Sequence, residues 1–382
     1  MRILQCVGDI DPALGGSVEA ARQLSHALDR LGHQPELVTL RPPPEEWSAA
    51  WQGTVHCAGP AATRYLYSPR FADWIAAHGY EYDAVVVHGL WRYTSVGAWR
   101  GLHGRDIPYF VFAHGMLDPY FKHAYPWKHA QKKICWMAAE SRVVRDARGV
   151  LFTCEEERLR ARATFRPYRC RERVVGLGIA RPTGDRAAQR KTFLDAHPQL
   201  CGTRMVLFLG RIHSKKGCDL LIEAFARVAP CDPLLRLVIA GPDECGWQAD
   251  LVRLAAQVGV GPRVTFTGPL YGEIKWGALR SAEVLALPSH TENFGITVVE
   301  ALACGVPVLI SNEVNIWREI VADRAGLVAN ADVTGTVDLL DRWLNLPPEA
   351  RRQMRDNALR SFATRFELEH FAREFAACLG DR

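Results

Sequence analysis

Short apolar runs alternate with longer amphipathic stretches along most of the chain, the pattern produced by βαβ units stacking into parallel sheets. In the first half, runs at residues 3–7, 36–40, 84–88, 109–114 and 150–154 predict strands. After the first of them, Ala20, Ala21, Leu24, Ala27, Leu28 and Leu31 recur at helical spacing over residues 18–31, and Gly32 follows where a C′ residue belongs. Residues 176–203 interrupt the pattern with Gly178, Pro182, Gly184, Pro198 and Gly202 and read as a polar linker holding one helical segment. The alternation then resumes, with strands expected at 205–209, 235–240, 264–267, 284–287 and 306–310 and helices at 219–228, 247–258 and 297–304. A helical tail over residues 348–379 is long enough to return to the first half. The expected class is α/β, with two doubly wound parallel-sheet domains.

At 382 residues, and roughly 150 per domain, the length fits two such domains. Hydrophobic residues make up 48% and charged residues 23%, close to a soluble globular average, which excludes disordered and collagen-like chains. The net charge of +5 is too small for a protein that coats nucleic acid, so nucleic acid is not an expected partner. The excess sits in residues 1–180, and the span 121–175 alone holds 14 basic against 6 acidic residues, with Trp127 and Trp136 among Lys122, Lys128, Lys132 and Lys133. Two readings stand: a solvated helical face, or attraction to an anionic membrane surface. The eleven cysteines include no C-x-x-C pair, which suggests reduced thiols and a cytoplasmic protein. The amino terminus is too soon interrupted by Gly8 and Asp9 for a signal peptide, and no apolar run approaches the ~18 residues of a membrane span. Any membrane contact is expected to be peripheral.

Three segments carry candidate chemistry. The first strand runs into a loop with Gly15 and Gly16 before a helix. Such a pair either serves the turn or lets helix N–H groups face an anion or a sugar hydroxyl. The second domain opens with Gly210, Arg211, Lys216 and Gly217 ahead of a helix, so that two cations are either surface charges beside a turn or converge with free backbone donors on one spot that a diphosphate would satisfy. The third segment ends a strand at Pro288, places Glu292 and Asn293 in a loop, and opens a helix at Gly295. Glu292 and Glu300 are eight positions apart, so both carboxylates can reach one crevice.

These parts resemble the retaining glycosyltransferases of family 4, which have the GT-B fold. The resemblance rests on the pattern Gly-Arg-x4-Lys-Gly at 210–217, on Glu292 and Glu300 as Glu-x7-Glu with Asn293, Phe294 and Gly295 between, and on the glycine pair of the first loop. It implies two Rossmann-like domains facing a central cleft: an acceptor-side domain at 1–177 joined by a terminal helix at about 365–382, and a nucleotide-sugar domain at 178–364. It also implies that Arg211 and Lys216 hold the donor diphosphate, Glu292 the sugar and Glu300 the ribose, with backbone around Gly268 and Leu270 facing the base. His114, after the strand at 109–114, is either a satisfied structural histidine or, as the resemblance implies, a residue facing the donor sugar.

The implied reaction moves a hexose from GDP-mannose or a UDP-hexose to a hydroxyl of a glycan. The looser likeness of Met116 to Pro119 is to transferases that build bacterial surface polysaccharides, exopolysaccharide or lipopolysaccharide, on lipid-linked acceptors. The resemblance implies no cofactor beyond the nucleotide sugar as co-substrate and no metal, although Asp9 and Asp11 form a D-x-D. A non-catalytic scaffold of the same fold and a GT-B epimerase or phosphorylase are the alternatives.

Overall fold

The computed structural model describes residues 1–11 and 16–381. The chain divides into two compact units, one made of Met1–Ala180 with Glu367–Arg382 and the other of Arg181–Phe366. Each unit is built around a parallel sheet.

In the first unit the strands are β1 (Arg2–Cys6), β2 (Gln34–Thr39), β3 (Val55–Cys57), β4 (Ala84–His88), β5 (Tyr109–Phe112), β6 (Gly149–Phe152) and β7 (Glu172–Val174). They lie in the order β3-β2-β1-β4-β5-β6-β7. Central β4 reads Ala-Val-Val-Val-His because helices cover both of its faces, and its first four residues are fully buried. The helix Gly16–Arg30 turns its apolar stripe inward and ends at Gly32, whose φ of +80° lets the His33 N–H bond the Leu28 carbonyl at 3.0 Å. The helix Leu368–Gly380 belongs to this unit and packs Phe371 and Phe375 on Phe112, ring centroids 6.5 and 6.3 Å apart.

In the second unit the strands are β8 (Arg204–Leu209), β9 (Leu235–Ala240), β10 (Val264–Gly268), β11 (Val284–Leu287), β12 (Val308–Ser311) and β13 (Gly326–Ala329), in the order β10-β9-β8-β11-β12-β13. The helix Arg186–Ala196 falls within the stretch expected to be linker. It is integral to this unit, for it packs so closely on the helix Gly272–Ser281 that a Cβ at Gly277 would lie 2.1 Å from the Gln189 carbonyl.

The structure departs from the sequence expectations at edges and breaks. Strands β3, β7 and β13 escape the apolar pattern because they end their sheets, are only three or four residues long and are mostly unburied. The expected strand at 109–114 stops at Phe112, and His114 enters a turn with φ of +47°. The tail is two helices, Pro348–Ser361 and Leu368–Gly380, separated by a π turn at Phe362–Phe366, and they fall in different units. Trp136 is fully buried, stacked on Phe165 with ring centroids 5.1 Å apart, so it is a core residue rather than an interfacial aromatic.

Candidate functional site

Open α/β sheets bind ligands beyond the carboxyl ends of their strands, where the strand order reverses. In the second unit that point lies between β8 and β11, and both charged motifs of the sequence converge there. Gly217 follows the β8 loop in a left-handed conformation, φ +70°, and a Cβ on it would lie 2.2 Å from the carbonyl oxygen of Pro288, just past β11. This close approach, which glycine alone accommodates, carries Lys216 to the β11 loop. There its ammonium donates a hydrogen bond to the Glu292 carboxylate. The His290 N–H also bonds the Lys215 carbonyl at 2.8 Å, joining the two loops through backbone.

Two helix amino termini open beside this pair. One begins the helix Cys218–Val228 after Gly217, and the other begins Ile296–Ala303 after Gly295, which has φ +77°. Their unpaired N–H groups and dipoles favour an anion. The loop carrying Glu292 is fixed by backbone bonds to the turn after β12, from Glu292 N–H to the Glu313 carbonyl and from Asn315 N–H to the Glu292 carbonyl, each 3.0 Å. Asn293 accepts a bond from the buried Asn315 amide at 3.3 Å. Phe294 is buried and meets Phe366 edge-on, so its ring serves packing and its backbone sets the loop.

Glu300 lies nearly buried one helix turn before the end of Ile296–Ala303, and Lys275 donates to it at 2.7 Å from the helix Gly272–Ser281. Burial pushes the Glu300 carboxyl up, against the pull of Lys275. Lys275 went unremarked in the sequence because no spacing links it to Glu300; only the packing of the two helices does. Arg211 is largely exposed and pairs with Glu244 at 3.0 Å, away from the Lys216–Glu292 pair in its bonding. Gly210 donates to the Ala240 carbonyl at 2.9 Å, Gly268 accepts from Gly241 at 2.9 Å at the end of β10, and Leu270 is buried after it.

In the first unit the reversal falls between β1 and β4. His88, at the end of β4, and His114, after β5, are joined through Nδ1 of the first and Nε2 of the second at 2.9 Å. Burial lowers both, His114 to about 4, so both rings are neutral at physiological pH. Glu157 secures the strained turn, accepting the Gly115 N–H at 2.5 Å and both the N–H and the hydroxyl of Thr153, at 2.7 and 2.6 Å. Gly16 opens the helix Gly16–Arg30, whereas Gly15 lies outside the described residues. Asp9 is engaged by Arg41 at 2.9 Å and by the Asp11 N–H at 3.1 Å, so this half of the D-x-D serves the loop.

A groove lined by Trp99, His103, Arg105, Arg148 and Arg171 opens at the opposite, amino-terminal edge of the first sheet. The general rule for open α/β sheets places ligand sites at the other, carboxyl-terminal edge. Among the described residues no helix is long and apolar enough to cross a membrane.

The family described as "Glycosyl transferases group 1" matches residues 190–361, and "Glycosyl transferase 4-like domain" matches residues 15–178. A D-inositol 3-phosphate glycosyltransferase of Mycobacterium tuberculosis is 33% identical over 203 residues, 51% of this chain and 40% of that protein. One from Geodermatophilus obscurus is 38% identical over 133 residues, 33% of this chain and 29% of that protein. The matched stretches thus span well under half the length of these curated relatives. Among solved structures, Anabaena Alr3699/HepE in complex with UDP aligns with a TM-score of 0.79 at 16% identity over the whole of both chains. Sucrose-phosphate synthase from Thermosynechococcus elongatus aligns at 0.74 and 23% identity, covering 98% of this chain and 97% of its own. These structures share the fold of two parallel-sheet α/β domains.

Proposed function

The chain belongs to the group 1 glycosyl transferases, with a 4-like amino-terminal domain, and on that premise we propose that it is a retaining, metal-independent hexosyltransferase. The donor is a nucleotide-diphosphate sugar, and the acceptor is a hydroxyl of a glycan, carried on a lipid in the synthesis of a bacterial surface polysaccharide. The observation that carries this reading is the Lys216–Glu292 pair set beside two helix amino termini at the strand reversal of the second unit.

Departure of a nucleoside diphosphate from an oxocarbenium-like carbon places negative charge on the phosphates, and fixed donors aimed there lower the barrier. Lys216 and the N–H groups at the two helix starts supply such donors. Arg211 adds a second cation on exchanging Glu244 for phosphate. Glu292, released from Lys216 as the ammonium turns to phosphate, accepts from sugar hydroxyls. Glu300 accepts from the ribose, and backbone near Gly268 and Leu270 lies along the base. In the first unit His114 offers its ring to a sugar hydroxyl. A departing phosphate oxygen takes the acceptor's proton, so the step needs no separate base.

The ligand in the Alr3699/HepE structure makes UDP-glucose the first donor to try. The test is a panel of UDP- and GDP-sugars screened by thermal shift and by release of nucleoside diphosphate, with EDTA present. Release of UDP or GDP with the anomeric configuration kept in the product supports the reading. A chain that binds a nucleotide sugar and never turns it over would instead be a scaffold.

A second observation favours contact with an anionic membrane. The helix Pro126–Cys135 buries none of its residues, and it rests on its unit through His129 and Lys132, whose neighbours are Phe165 and Trp91. Helical spacing therefore points Trp127 and Ile134 directly outward, 85% and 64% exposed, with Lys128 and Lys133 flanking them. An outward apolar stripe bordered by lysines suits the headgroup region of acidic lipid, and such a surface would present a lipid-linked acceptor on its cytoplasmic side.

A further inference from the structure

A buried hydrogen-bonded chain crosses the first unit at its strand reversal. The Ser25 hydroxyl donates to the Ala21 carbonyl at 3.2 Å and accepts from the Gln5 amide nitrogen at 2.6 Å. The Gln5 oxygen faces Nε2 of His88 at 2.9 Å, and Nδ1 of His88 faces Nε2 of His114 at 2.9 Å. Gln5 lies on β1, His88 ends β4 and His114 follows β5, so the chain spans three neighbouring strands.

Each neutral imidazole carries one N–H and one lone pair, so such a chain has a direction. With its proton committed to Ala21, Ser25 receives the Gln5 amide donor, which turns the Gln5 oxygen to His88. That oxygen requires a proton on Nε2 of His88. The lone pair of His88 Nδ1 then requires a proton on Nε2 of His114, and the Nδ1 lone pair of His114 remains. Among the described residues no hydrogen bond engages that nitrogen, and the ring is partly exposed. The left-handed φ of +47° at His114 is a conformation that non-glycine residues adopt at a cost, and it recurs where side chains are held for function.

We propose that Gln5 and His88 are positioning residues that hold His114 as its Nε2–H tautomer, so that Nδ1 accepts a hydrogen bond from a sugar hydroxyl. The inference rests on the transferase reading for the identity of the hydroxyl, whereas the tautomer itself is independent of it. A hydroxyl is matched by this arrangement because it can donate to a neutral nitrogen. A phosphate oxygen offers no proton and is rejected.

The surroundings preserve the arrangement. Phe112 stacks on His114 with centroids 4.1 Å apart, and the helix Leu368–Gly380 presents Phe371 and Phe375 behind it rather than charges. Each histidine faces the other and Gln5 lies beyond His88. The carboxylate next to the turn, Glu157, has its oxygens engaged by Gly115 and Thr153.

The test has two arms on the full chain. Nitrogen-15 NMR of the imidazoles at pH 7.5, without ligand, is expected to show for His114 a pyrrole-type Nε2 and a pyridine-type Nδ1; the reverse assignment overturns the proposal. The second arm is Gln5→Glu. The new carboxylate favours a doubly protonated His88, which then donates from Nδ1 and drives the proton of His114 to its own Nδ1. The expected result is an acid limb in the pH profile displaced upward, with at least tenfold higher KM for the sugar substrate at pH 6 than at pH 8, in a variant shown by circular dichroism to be folded. A pH profile superimposable on the parent's also overturns it. Should no nucleotide sugar be turned over at all while the NMR pattern holds, the transferase reading fails and the tautomer lock stands.

Discussion

The ammonium of Lys216 donates a hydrogen bond to the carboxylate of Glu292, which lies 76 residues further along the chain. One residue precedes a helix that follows β8 and the other lies in the loop after β11, and the two strands are neighbours at the reversal of the second sheet. Without ligand each charge satisfies the other, so both stay ordered and neither is buried alone. A diphosphate sugar has oxygens for the ammonium and hydroxyls for the carboxylate, so binding exchanges one internal pair for two contacts.

Lys216→Ala is therefore expected to lower turnover by about 100-fold or more, the loss typical of removing one preorganised donor to a developing anion. Glu292→Gln is expected to raise KM for the donor sugar and reduce turnover, because the amide offers only one acceptor atom. Steady-state release of nucleoside diphosphate checks both, with circular dichroism to verify folding. Parent-like rates in Lys216→Ala would remove this lysine from the leaving-group site.

Gly217→Ala tests the backbone contact that builds the pair. The substitution forces an alanine to φ +70° and sets its Cβ against the Pro288 carbonyl. Strain of at least about 1–3 kcal/mol is expected, read as a lower midpoint in urea. Donor affinity should fall too, because the loop can relax only by carrying Lys216 away from Glu292.

Lys275→Met removes the cation from a nearly buried carboxylate. Glu300 already has its carboxyl raised by burial, and loss of Lys275 raises it further. A folded-state value above the unfolded one costs stability at high pH, and the cost disappears as pH falls and the group protonates. The variant should be less stable than the parent by a few kcal/mol at pH 8 and close to it at pH 5, in paired denaturation curves. A pH-independent difference would contradict this account of Glu300.

Glu140 gives the complementary case. One oxygen accepts the Trp91 N–H and the Ser95 hydroxyl, each at 2.9 Å, while the other is buried without a hydrogen-bond partner. Burial pushes its carboxyl up to about 7. The folded protein thus binds the proton more tightly than the unfolded chain, and stability falls as pH rises from the ordinary carboxyl range through 7. Glu140→Gln keeps the accepting oxygen and cannot ionise. It should exceed the parent's stability above pH 7 by up to about 3 kcal/mol, the gain shrinking toward pH 5.

Sedimentation with vesicles rich in phosphatidylglycerol tests the outward helix. Binding should weaken with salt, by roughly fivefold for each of Lys128→Ala and Lys133→Ala, and Trp127→Ala should weaken it at every salt concentration. Equal sedimentation with neutral vesicles would exclude an electrostatic contact.

The two α/β halves were legible from the chain alone because a strand buried on both faces must be a continuous apolar run, as at residues 84–87 and 237–240, and a covering helix must repeat its apolar positions. Glycines in left-handed conformations, Gly217 and Gly295, likewise marked their turns, and the Glu-x7-Glu spacing tied two carboxylates to one strand–loop–helix unit. Edge strands β3, β7 and β13 left no comparable mark, since three or four mostly unburied residues are too few to show a pattern, whereas the longer edge strand β10 did. The partner of each acid was equally hidden. Lys216 to Glu292, Lys275 to Glu300, and Gln5 through His88 to His114 all join residues from different elements. Local periodicity records only which side of an element is buried; which lysine meets which carboxylate, and which nitrogen keeps its proton, depend on strand order and side-chain packing, and these exist only once the chain has folded.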